Sequence, residues 1–196
     1  MADSSLIDGR LKTAAQLTLR ARIFYDIWRF FDGAETRPGI IDTMRDYSEF
    51  FRFAPNAHFV SFVVQIAALM EKRNDTINLR GLAKELKGGG LISVKDASEV
   101  DALFERAAPL ASKTKILRDK LFAHRNASLS YADVLENASV TPNELRDLTE
   151  LALKIVNHLL MARDQDFYAF NPLPVAHAEA MLNALAEHAR LELGQR

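Results

Sequence analysis

No cysteine occurs in the 196 residues. This excludes disulfides, thiolate zinc sites and cysteine nucleophiles, and it leaves the redox compartment undetermined. Charge of one sign is also missing. The formal net charge is −1, so no whole-molecule field attracts nucleic acid, and any RNA site has to be local. The longest nearly apolar run, Phe59 to Met70, is interrupted by Ser61 and Gln65 and falls short of the ~20 residues that span a bilayer. It is expected to be a core helix, with no membrane association. The opening MADSSLIDGRLK has no basic region followed by an apolar stretch, unlike a secretory signal, and a soluble cytoplasmic protein is expected. No run alternates like a strand between hairpin turns, and no repeat or low-complexity tract occurs. HExxH and repeated Glu-x-x-His patterns are absent. His177 and His188 share a helix face but lie ~16 Å apart along its axis, too far for one metal ion. No cofactor and no metal are expected.

What is present is helical periodicity. Residues classed as hydrophobic make up 48% of the chain, enough for one sizeable core, and a single α-helical domain over 1–196 is the expectation. Leu17, Ala21, Phe24, Trp28 and Phe31, widened by Ile23, Ile27 and Phe30, predict a first long helix ending near Asp32-Gly33. Ala34 to Gly39, with Pro38, reads as a loop. Ile40 to Phe53 predicts a second helix stopped before Pro55, and Phe59 to Met70 a third. After the polar turn Lys72 to Asn78, Asn78 is placed to cap a short helix, Leu79 to Lys87. Gly88-Gly89-Gly90 follows a helix rather than a strand and has no Lys-Ser/Thr pair after it, so it reads as a helix stop and not as a phosphate loop.

The clearest pattern lies in the centre. Val100, Leu103, Ala107, Leu110, Thr114, Leu117, Leu121 and His124 follow one another by three and four, through Pro109, where a kink is expected. Thr141-Pro142-Asn143-Glu144 combines a capping box with proline at the first helical position, and Leu145, Leu148, Ala152, Ile155 and Leu159 continue that helix. His158, within KIVNHLLM, reads as a core or interface histidine. The stretch ARDQDFYAFNPLP leaves helical periodicity, and Val175 to Leu193 forms a last helix that extends the bundle or dimerises. The fold class is all-α, an up-and-down helical bundle.

Within the central helix, Lys115, Arg118, Phe122 and Arg125 form a basic stripe beside the apolar seam, with Lys113 and Lys120 nearby and only Asp119 opposing them. Periodicity by itself leaves His124 as a buried histidine ending the seam, and the stripe as a solvated helix face.

The segment RDKLFAHRN resembles the diagnostic motif of the HEPN superfamily: an arginine, an adjacent polar residue, then a histidine toward the end of a long helix. Arg118, Asp119 and His124 match those features. Arg52 to His58 has the same spacing, but Pro55 lies between them, so the helical setting and not the spacing carries the likeness. The order of aromatic-rich early helices, a polar turn after the third and RDKLFAHRN before the last bundle helix looks most like the abortive-infection branch. The resemblance covers roughly residues 10 to 163 and implies a four-helix core with additional helices, including one at about 175–193. It further implies a homodimeric, metal-independent endoribonuclease with a toxin or defence role, an RNA substrate, and an antitoxin or operon-encoded partner protein. Catalysis is expected from Arg118, His124 and Asp119, and RNA binding from Lys115, Lys120, Arg125 and Asn126, the last alternatively a helix cap. The alternative function is a non-catalytic HEPN-like module that binds a partner protein or nucleotide, since fold does not settle function.

Overall fold

The computed structural model describes residues 4–72, 76–123, 135–136 and 138–194, all helices and connections with no strand among them. The helices are α1 (Ser4–Asp32), α2 (Arg37–Asp46), α3 (Ser48–Phe51), α4 (Ala54–Met70), α5 (Leu79–Gly88), α6 (Val94–Ala123), α7 (Pro142–Met161) and α8 (Leu173–Gly194). The all-α class is therefore as expected. The chain forms two compact units, one of residues 1–21 and 63–169 and the other of residues 22–62 and 170–196.

In the first unit α6 packs along α7, and α5 contacts both. Val100, Ala107, Thr114 and Leu117 of the central seam are buried, as are Leu145, Leu148, Ala152, Ile155 and Leu159 of α7. Helix α6 runs through Pro109 without interruption. The α7 start has the expected capping box: Thr141 accepts from the Glu144 amide, and Glu144 accepts from the Thr141 amide at 2.8 Å. Asn78 caps α5 by accepting from the Gly81 amide at 2.7 Å. At the other end of α5 the Leu91 amide bonds the Leu86 carbonyl and the Gly90 amide that of Lys87. This closure places Gly90 at φ +64°, a conformation glycine adopts without Cβ strain. The triple glycine is a helix stop.

The second unit is built on aromatic residues. Trp28 and Phe59 lie 4.6 Å apart between ring centroids, and Tyr25 meets Phe62 edge-on at 5.3 Å. Phe30, Phe31, Met44, Phe51 and Leu182 form a separate cluster, against which Val175, Ala178 and Leu185 of α8 pack. Thus α8 covers α2 within this unit.

Three boundaries differ from expectation, and the first helix reaches well before the stripe that begins at Leu17. Helix α1 starts at Ser4, because Ile7, Leu11, Ala14 and Thr18 prolong its buried stripe, and within that stripe Tyr25 is buried whereas Phe24 is only half-buried. Pro38 lies in the first turn of α2 and starts it, since a proline there forfeits only an amide that has no intrahelical acceptor. The predicted helix over 40–53 is split at Tyr47, which leaves helical geometry and packs against the α8 cluster. Pro55 likewise sits inside the first turn of α4, and the break precedes it at Arg52–Phe53. Arg52 thus lies in the break, whereas His58 is on α4. By length and composition Ser48–Met70 is apolar enough to cross a membrane. That break divides it, however, and α4 buries Phe59, Phe62, Val63, Ile66 and Leu69.

Candidate functional site

Helix α6 separates its two stripes as expected. Thr114 and Leu117 are buried, Lys115 is exposed, and Arg118 lies at the boundary between them with 20% of its side chain accessible. Its guanidinium is held from both sides. Nη1 donates to Glu71 Oε2 at 2.6 Å, and Nε and Nη2 both donate to Asp119 Oδ1, at 3.1 and 2.7 Å. Glu71 directly follows α4, and its amide bonds the Ala67 carbonyl, so its carboxylate is delivered from a fixed helix end. The hydrogen bond to Glu71, outweighing partial desolvation and helped by Asp119, raises the arginine pKa above its ordinary value. Arg118 is therefore held in its cationic form.

The guanidinium has five N–H donors, of which these contacts use three. Two remain without a partner among the described residues. Chemically this is an oriented planar donor that retains capacity for an oxyanion. The charge balance is less favourable: one cation faces the two carboxylates of Glu71 and Asp119. The expectation that only Asp119 opposes the basic stripe is corrected here, because Glu71 reaches Arg118 across 47 residues of sequence. Lys113 is likewise engaged, donating to Glu144 Oε1 at 2.5 Å. Lys115 is exposed and Lys120 is half-buried. His124, Arg125 and Asn126 lie outside the described residues, as do the side chains of Leu121 and Phe122.

Three of the four described histidines are engaged elsewhere, His58 through its Nδ1, 2.7 Å from the Ala54 carbonyl. His158 is half-buried on α7, its Nε2 lying 3.2 Å from Asp96 Oδ1 and its Nδ1 3.7 Å from Glu99 Oε2. Asp96, held by hydrogen bonds from Ser93 and by His158, has its pKa lowered. His188 Nδ1 is 3.3 Å from the Tyr47 hydroxyl. Among the described residues, no group of three or more His, Cys, Asp or Glu side chains is arranged to hold a metal ion.

The family model described as HEPN_AbiU2, AbiU2, matches residues 7–181. The chain belongs to the HEPN AbiU2 family. The match extends beyond residue 163 into α8, so this AbiU2 chain keeps family character through the first part of its last helix. It is a HEPN-type protein of the abortive-infection kind. No curated protein and no solved structure matched it.

Proposed function

We propose that this AbiU2 protein is a homodimeric, metal-independent endoribonuclease acting in abortive infection or as a toxin-like growth inhibitor. The observation that carries the reading is Arg118: a cation oriented by Glu71 and Asp119, with two N–H donors left over among the described residues, five residues before the end of α6. In the proposed reaction the ribose 2′-oxygen attacks the adjacent phosphorus and the bond to the 5′-oxygen breaks. His124 deprotonates the attacking hydroxyl or protonates the leaving oxygen, a role that suits an imidazole titrating near neutrality. Arg118 stabilises charge developing on the phosphate, and Asp119 positions Arg118. Lys115, Lys120, Arg125 and Asn126 contact the RNA strand. A protein encoded nearby restrains the activity.

Replacing Arg118 or His124 with alanine is expected to lower cleavage of unstructured RNA at least about 100-fold, with unchanged helical circular dichroism. Chelators should have no effect, and a 2′-deoxy nucleotide at the cleaved position should resist attack. Wild-type cleavage by both variants, or a strict requirement for Mg²⁺, overturns the mechanism. The engagement of Arg118 by two carboxylates favours a second reading, a non-catalytic module binding a partner protein or nucleotide. That reading predicts no cleavage by the pure protein and a stable complex with the partner.

A further inference from the structure

The Arg118 cluster supplies one positive charge against two negative ones. If RNA binds here, cations beyond Lys115, Lys120 and Arg125 are needed to offset that balance along its backbone. A cavity of about 520 Å³ between α5 and α6 has that character. Among the described residues it is lined by Lys72, Arg80, Lys84 and Lys87, with Asp101 the one acidic group on its wall and Phe104 the one aromatic. Asp101 is paired with Lys87. Arg80 Cζ lies over the buried Phe104 ring at 4.7 Å from its centroid, a cation–π contact that holds the guanidinium at the cavity wall. Lys72 and Lys84 are exposed and make no ion pair among the described residues. Four cations against one carboxylate, in a chain of net charge −1, is a local concentration of positive charge.

One residue of the cavity wall adjoins the Arg118 site in sequence. Lys72 is the residue after Glu71, whose carboxylate holds Arg118. A strand lying along α5 and leaving past Lys72 then meets the chain segment that holds that guanidinium. The volume suits a nucleotide-sized group, and Lys72 and Lys84 present exposed cations at its wall.

We propose that this cavity binds the phosphodiester backbone of single-stranded RNA, with Lys72 and Lys84 contacting phosphates and Arg80 offering its planar face to a base. The proposal rests on reading the protein as RNA-directed, but its test reads binding and not cleavage. The probe is a labelled 2′-O-methyl oligouridylate, which lacks the attacking hydroxyl, followed by fluorescence anisotropy across a salt series.

The K72E/K84E variant is expected to bind at least about tenfold more weakly and to reduce the salt slope by roughly 1.4, about 0.7 for each lost phosphate. K72R/K84R should bind like wild type. K12E/K95E reverses two exposed lysines outside the cavity with the same change in net charge, and it should have little effect. Wild-type affinity and slope in K72E/K84E overturn the proposal, as does an equal loss in K12E/K95E. Binding of ATP without binding of the oligonucleotide overturns it too, because that outcome marks a small-nucleotide pocket. If Arg118→Ala and His124→Ala cleave normally while K72E/K84E releases RNA, the cleavage mechanism fails and the cavity stands. If those two variants lose cleavage while K72E/K84E binds normally, the cavity fails and the mechanism stands.

Discussion

Arg118 shows how much a side chain's meaning depends on what lies beside it. As one member of a basic stripe it reads as an open phosphate ligand, yet its fork is shared between Glu71 and Asp119. The Glu71 arm is the stronger, since both of its partners are largely buried, whereas Asp119 keeps 55% of its side chain accessible and its pairing is screened by water. Lysine cannot reproduce the arrangement, because a single ammonium lacks the planar fork that faces two carboxylates together. Arg118→Lys is therefore expected to keep the charge but lose stability by about 1 kcal/mol. It should also cleave RNA as poorly as Arg118→Ala. Urea denaturation and single-turnover cleavage measure the two effects, and full activity in the lysine variant would leave point charge as the only contribution.

At the scale of the element, the start of α7 joins local and distant interactions. Thr141 and Glu144 close the capping box, and the same Glu144 receives Lys113 from α6. Removing the cap with Thr141→Ala should cost about 1 kcal/mol, seen as a lower denaturant midpoint. The hydrogen bond from Lys113, followed by that from the Thr141 backbone, lowers the Glu144 pKa below its ordinary 4.5. A depressed carboxylate stabilises the fold fully above its unfolded value and loses that contribution as pH falls through the folded one. The stability gap between wild type and Glu144→Gln should thus stay constant from neutrality to about pH 4.5 and close below it. A gap that closes near neutrality would point to another group. Helix α5 shows a different element-scale property: Leu79, Leu82, Ala83 and Leu86 are buried while Arg80, Lys84 and Lys87 line the cavity. Its basic residues recur by four and three, a signal present in the sequence that reading for motifs passes over.

At the scale of the whole molecule, the chain distributes its apolar residues over two compact units. In the unit of residues 22–62 and 170–196, Leu182 of α8 is 2% exposed and packs with Phe30, Phe31, Met44 and Phe51. Leu182→Ala should therefore cost about 3 kcal/mol, a transfer term plus a cavity term. Chemical denaturation measures the loss, and faster amide exchange in α8 locates it. A near-neutral effect would mean that α8 is held by its other contacts. The last helix could be read beforehand either as an extension of the bundle or as a dimerisation element. Its apolar face is in fact directed onto the chain's own aromatic cluster.

The sequence by itself determined the helical class, the seam of α6, the caps of α5 and α7 and the helix stop at Gly88–Gly90, because each follows from a period of 3.6 residues or from terminal chemistry within one turn. The RDKLFAHRN segment pointed to the family for a similar reason: its features lie close together in the sequence. Boundaries around prolines were less legible, since Pro38 and Pro55 start helices as readily as they end them. Only the tertiary structure decided that Glu71 and Asp119 together hold Arg118, that Glu144 takes Lys113, and that Lys72 joins the basic face of α5 around one cavity. These pairings depend on how helices distant in sequence approach one another, and no local period encodes that.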